Sequence, residues 1–97
     1  MEIRQLRALQ AIADTGSFWE AADVLGLTQS ALSHQVRQLE DELGETLLVR
    51  ARPRIYPTPA GRVVLDAAGR INAEIRTLEQ RFTTARHGAI VGTLRIA

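Results

Sequence analysis

Ser17-Phe18-Trp19-Glu20-Ala21-Ala22-Asp23-Val24-Leu25-Gly26-Leu27-Thr28-Gln29-Ser30-Ala31-Leu32-Ser33-His34-Gln35-Val36-Arg37-Gln38-Leu39-Glu40-Asp41-Glu42-Leu43-Gly44 reads as two helices joined by a glycine turn. Ser17 opens the first, with Glu20 at the spacing of a capping box. Phe18, Ala21, Ala22 and Leu25 form its apolar side, and the paired alanines let another helix approach closely. Gly26 breaks that helix, and Thr28 is a good N-cap for a second one running from Gln29 to Leu43. Leu32, Val36, Leu39 and Leu43, spaced 4, 3 and 4, make one apolar stripe, and Gly44 stops the helix. A short helix, a tight glycine turn and a longer helix are the sequence form of a helix-turn-helix.

On the N-terminal side, Glu2 to Asp14 predicts an amphipathic helix. Ile3, Leu6, Leu9 and Ile12–Ala13 recur every three to four residues, and Gly16 follows its end. On the C-terminal side the period changes. Thr46-Leu47-Leu48-Val49-Arg50 and Arg54-Ile55-Tyr56 are rich in strand formers, with Ala51-Arg52-Pro53 between them. They predict a small β-hairpin, a wing with arginines at its tip. Thr58-Pro59 then starts a last helix, with Thr as N-cap and Pro at the first helical position. In it Val64, Ala68, Ile71, Ile75, Leu78 and Phe82, spaced 4, 3, 4, 3 and 4, form a heptad seam. A helix over 59–86 is about 42 Å long, too long for its stripe to be covered by the preceding 58 residues, so the seam is expected to meet a partner. Val91 to Ala97 reads as a strand that stops as it starts, which suggests a chain cut where a second domain begins.

Composition narrows the function classes. The chain has 97 residues, 45% of them apolar and none cysteine, room for one small domain and an arm. The lack of cysteine excludes a disulfide, a zinc–thiolate site and a thiol nucleophile. No apolar run is long enough to span a membrane, and Met1-Glu2-Ile3-Arg4 does not open a secretory signal. A cytoplasmic setting with no membrane partner is expected. Residues 1–46 carry three arginines against eight acids, a local charge of −5, whereas residues 47–57 carry Arg50, Arg52 and Arg54 with no acid. All twelve basic residues are arginine. Their planar forks suit phosphate and guanine, although genomic base composition would give the same bias.

The helix from Gln29 to Leu43 carries the chemistry. With its apolar stripe turned inward, Gln29, Ser30, Ser33, His34 and Arg37 form one polar strip, which Asp41 could extend. The first five can all hydrogen-bond and none is acidic. In a DNA major groove, glutamine can pair with adenine and arginine with guanine. The helix N-terminus adds unpaired N–H groups suited to phosphate. Alone, such a strip is more often a solvated face; next to the short helix, the Gly26 turn and the arginine wing, it predicts DNA binding. Trp19 is expected to face outward, either packing against a neighbouring helix or dimer partner or touching sugar-phosphate.

Catalysis is not expected. Ser33, His34 and Asp41 are triad residue types, but they sit on one rigid helix where adjacent side chains diverge by about 100°. His34 and His87, 53 positions apart and without cysteine, give no metal spacing. The rival reading is a helix-turn-helix adaptor that dimerises and binds protein rather than DNA, against which the arginine wing argues.

Leu6-Arg7, Gly16-Ser17-Phe18, Ala21-Ala22, Leu25, Thr28-Gln29-Ser30-Ala31-Leu32-Ser33-His34-Gln35, Leu39-Glu40, Leu43-Gly44, Leu47, Arg50, Thr58-Pro59-Ala60-Gly61 and Leu94-Arg95-Ile96 stand in an ordered set spanning nearly the whole chain. The sequence carrying them resembles the N-terminal region of a LysR-type transcriptional regulator. Within that family, Thr28 to His34 is most similar in motif to the methionine-biosynthesis regulators. The resemblance implies a mainly α fold: a winged helix-turn-helix with a small β-hairpin wing and a long linker helix. It divides the chain into a DNA-binding domain (1–58), a linker and dimerisation helix (59–87) and the start of a missing effector-binding domain (88–97).

In the family the linker helix pairs antiparallel in a homodimer, full-length members commonly form tetramers, and a small-molecule inducer binds the effector domain. No cofactor is therefore expected in this chain. Antiparallel pairing through Val64, Ala68, Ile71, Ile75, Leu78 and Phe82 implies double-stranded DNA bearing an interrupted inverted repeat, with recognition helices roughly 34 Å apart. Carried over by position, groove contacts fall on Gln29, Ser30, Ser33 and His34, with Arg37 further along the same strip. Phosphate contacts fall near Thr28, Arg50 and the wing tip, Arg52 and Arg54. This sequence departs from the family pattern at His34, where arginine is common, at Leu48, where phenylalanine is usual, and at Pro53 and Pro57 in the wing.

Overall fold

The structure, a computed structural model, describes residues 1–87. Its elements are α1 (Ile3–Thr15), α2 (Phe18–Leu25), α3 (Gln29–Leu43), β1 (Leu48–Val49), β2 (Tyr56–Pro57) and α4 (Pro59–His87). The fold is mainly α with a two-stranded antiparallel hairpin, as the sequence predicts. The strand expected near Val91–Ala97 lies outside the described residues.

Each of the first three helices ends at a glycine in the left-handed region: Gly16 at φ 73°, Gly26 at φ 68° and Gly44 at φ 68°. Only glycine reaches that conformation without a steric cost. Side-chain caps open α2 and α3. The Glu20 N–H donates to Ser17 Oγ at 3.1 Å, and the Ala31 N–H donates to Thr28 Oγ1 at 3.0 Å. The box expected at Ser17 is half formed, because the Ser17 N–H donates instead to Thr15 Oγ1.

Helix α1 is central and packs against α2, α3 and α4. It buries Leu6, Ala8, Leu9 and Ile12, while Ile3, expected in its stripe, is exposed. Ala21 and Ala22 are buried where α2 meets its neighbours, and α3 contributes Leu32, Val36 and Leu39. Leu47 and Leu48 close the core from the wing.

The wing is shorter than predicted. Its ladder pairs only Leu48 with Pro57 and Val49 with Tyr56, and Arg50, Arg54 and Ile55 lie outside it. The flanking main-chain groups bond elsewhere. The Leu47 N–H donates to Glu40 Oε2 at 2.8 Å, the Thr58 N–H donates to the Leu47 carbonyl at 3.0 Å, and the Ile55 N–H donates to the Gly16 carbonyl at 3.0 Å. Pro57 has no N–H with which to extend the ladder.

Thr58 fastens α4 to the wing. Its hydroxyl donates to the Thr46 carbonyl at 2.6 Å and accepts the Gly61 N–H at 3.0 Å. The 29 residues of α4 span roughly 43 Å. The expected six-residue seam is divided along that length, which corrects the reading of one stripe turned wholly to a partner. Ala68 is fully buried and Val64 packs against the same core, so both are used within the chain. Ile71, Leu78 and Phe82 are 38%, 55% and 40% exposed, with Ile75 half-buried between them. The first turns of α4 lie on α1 and β2, and this contact consumes the start of the stripe.

Candidate nucleic-acid interface

The stripe of Leu32, Val36 and Leu39 fixes the rotation of α3 and leaves the polar strip outward. Gln29, Ser30, His34 and Arg37 are exposed and Ser33 is half-buried. All five line one open groove together with Phe18 and Arg50. The groove therefore runs along α3 from its first turn to its third, walled by the end of β1 and the start of α2. Its lining holds two arginines and no carboxylate.

Arg50 is held by a contact with no local sequence signal. Its guanidinium carbon lies 4.4 Å from the centroid of the Phe18 ring, within cation–π range. Phe18 thus does more than fill the apolar side of α2: it props a cation at the mouth of the groove. The alternation within each element does not announce a pairing between positions 18 and 50.

The other expected contact residues divide. Thr28 caps α3, and a hydroxyl that accepts the Ala31 N–H keeps its own hydrogen free to donate. Arg52 is exposed in the wing and lines a second groove that shares Phe18 and Gln29 with the first. Arg54 is also exposed, and it makes a contact within the chain that was not expected at the wing tip. Its Nη2 donates to the Asp14 carbonyl at 3.2 Å, tying the wing to the end of α1. The acids of α3 lie toward its C-terminus, where Glu40 accepts the Leu47 N–H and does not border the groove.

Chemically the groove offers an amide that both donates and accepts, two small hydroxyls, an imidazole and two guanidiniums. Those groups match base edges and phosphates better than the apolar lining of a small-molecule pocket. Ser33 and His34 face the same groove, yet no acid completes a catalytic set there. Among the described residues no cluster of three or more His, Cys, Asp or Glu side chains could hold a metal ion. No helix among them is long and apolar enough to cross a membrane.

Residues 3–62 match the profile of the bacterial regulatory helix-turn-helix protein, lysR family. The chain is 40% identical over 97 residues to the RuBisCO operon transcriptional regulator of Allochromatium vinosum, an alignment covering all of this chain and 32% of that protein. It is 45% identical over 75 residues to the HTH-type transcriptional regulator MetR of Salmonella typhimurium, covering 77% of this chain and 24% of MetR. The chain thus spans about a third or less of the length of these curated relatives. Among solved structures it is similar to the BenM DNA-binding domain in complex with catB site 1 DNA. That match has a TM-score of 0.83 at 33% identity and covers 91% of this chain and 98% of that one. It is also similar to the CbnR DNA-binding domain in complex with DNA, with a TM-score of 0.77 at 34% identity, covering 90% of this chain and all of the other.

Proposed function

The chain belongs to the LysR family of bacterial helix-turn-helix regulatory proteins, and on that premise we propose that it binds double-stranded DNA sequence-specifically as a homodimer. One observation carries the reading: five polar side chains of α3 and Arg50 line a single groove free of acids. Helix α3 enters the major groove, where Gln29 and Arg37 read base edges and Ser30, Ser33 and His34 fit against bases or phosphates. Arg50, Arg52 and the N-terminus of α3 at Thr28 hold the phosphates on either side. The BenM and CbnR structures, each a complex with DNA, support this assignment.

The dimer forms through the exposed part of α4, Ile71 to Phe82, paired antiparallel with a second copy. Two globules at opposite ends of the paired helices suit an interrupted inverted repeat. The greater length of the relatives supports placing inducer binding, and assembly to a tetramer, in residues beyond these 97. The chain itself is a regulator's binding module that works without catalysis or cofactor.

Titration with duplex DNA at several salt concentrations tests the reading, because phosphate contacts give a steep salt slope. Selection of bound sequences from random duplex then yields the half-site. A chain that dimerises but binds no duplex at low salt would favour the adaptor reading instead.

A further inference from the structure

Trp19 is the only tryptophan of the chain and is 66% exposed. Among the described residues no neighbouring helix covers it, and a large aromatic left in water at the start of a helix calls for an occupant. Two grooves flank it, lined from α2, α3, the wing and the turns between them, with no residue of α4. On one side Trp19 lines a groove with Arg52 and Pro53, which continues the α3 groove through the shared Phe18 and Gln29. No acid lines that side. The groove on the other side holds Thr28 and Gln29 but also Asp23, one helical turn along from Trp19, and no cation. Of the two sides, only that of Arg52 offers a polyanion a cation and no acid, which favours a path between Trp19 and Arg52.

We propose that Trp19 and Arg52 form a clamp on the DNA backbone beside the recognition groove, the indole lying against a deoxyribose and donating its N–H to a phosphate oxygen. This rests on the DNA-binding reading above. Indole is a donor only, so it matches an acceptor-rich phosphate, and its flat apolar face matches a sugar. Neither contact depends on base identity, so the clamp adds affinity without sequence preference. It also separates from Arg52 experimentally, because indole carries no charge and releases no counterion.

The test uses the chain's own fluorophore. Tryptophan emission and acrylamide quenching are followed while a dye-labelled duplex is titrated and its anisotropy recorded, with a random-sequence duplex and then a selected one. Emission should change, and quenching should fall, in step with anisotropy. Trp19→Ala should weaken both duplexes about tenfold, the scale of one hydrogen bond to a charged group, with the salt slope unchanged. Trp19→Phe, which keeps a flat ring and loses the donor, should fall between. Arg52→Ala should instead reduce the slope by about one. Circular dichroism confirms that each variant is folded. Anisotropy that reports binding while emission stays constant and Trp19→Ala binds normally would overturn the clamp alone. A Trp19→Ala loss confined to the selected sequence would overturn its assignment to the backbone. A flat anisotropy curve at low salt would overturn the DNA-binding reading and the clamp with it.

Discussion

The guanidinium of Arg54 donates to the main-chain carbonyl of Asp14 at 3.2 Å, across forty positions of sequence. Gly16 lies beneath the same side chain and accepts the Ile55 N–H. The return of the wing is thereby pinned to the end of α1. Arg52, two residues earlier, is exposed and lines the groove that adjoins the α3 groove. Two arginines that look equivalent in sequence therefore predict different losses. Arg52→Ala should weaken binding to every duplex alike and flatten the salt slope by about one ion. Arg54→Ala should leave the slope nearly unchanged and lower stability by about 0.5–1 kcal/mol, the net value of one exposed hydrogen bond. Salt titrations and urea melts of both variants check this; equal slope changes would place Arg54 on the DNA.

Gln29 opens α3 and lines the α3 groove and both grooves beside Trp19. If its amide reads a base, Gln29→Ala should cost roughly 1–3 kcal/mol on the selected site and almost nothing on random duplex. Paired titrations measure the difference. Equal losses on the two would mean that Gln29 touches only backbone.

The helices were legible because their signals are local. Each apolar stripe sets a face, and Gly16, Gly26 and Gly44 each mark an end that the backbone confirms with a positive φ. The outward polar strip was legible for the same reason, since the stripe of Leu32, Val36 and Leu39 fixes which side of α3 is outward. The wing was legible as a hairpin but its extent was not, because its strands end where Leu47, Ile55 and Thr58 bond to α3, to the end of α1 and to each other. Nor was the cation–π contact between Arg50 and Phe18, whose partners are distant in sequence. A heptad pattern states that a stripe is apolar; whether Ala68 meets its own core or another chain depends on how α4 lies on α1.

Two glycines of α4 give a matched pair of expectations. A side chain on Gly61 would run into the Leu47 carbonyl, whereas one on Gly69 would meet nothing within 4 Å. Gly61→Ala should destabilise by about 3 kcal/mol, the upper end of an overpacking cost, because the obstacle is backbone that Thr58 holds in place. Gly69→Ala should stabilise by up to about 1 kcal/mol through helix propensity alone. Urea denaturation measures both. A neutral Gly61→Ala would mean that α4 can lift away from the Leu47 backbone freely.

His34 stands in the α3 groove where arginine is common in the family. His34→Arg places a permanent cation there. Affinity for random duplex should rise and the salt slope should steepen by about one, while the preference for the selected site narrows as the sequence-independent part grows. An unchanged slope would show that position 34 stands clear of the phosphates.

The proposed homodimer rests on the exposed end of the seam. Ile71, Leu78 and Phe82 lie on the part of α4 beyond Ala68, where the helix has left its own core. A monomer would keep these side chains in water as a patch along a projecting helix, which soluble proteins rarely tolerate. Antiparallel pairing with a second copy covers both patches and puts the α3 grooves at opposite ends of the assembly. Leu78→Asp would bury a carboxylate without a partner, once from each chain, at a substantial desolvation cost. Val63 is 70% exposed on the same helix but lies off the stripe, so Val63→Asp is the control. Sedimentation should show Leu78→Asp as a monomer with residues 1–58 folded, and Val63→Asp as a dimer. The monomer should lose orders of magnitude in affinity for an inverted repeat through lost bivalency, and far less for a single half-site. If Leu78→Asp stays dimeric with undiminished affinity, the two copies meet elsewhere, and the exposed end of α4 serves some other contact.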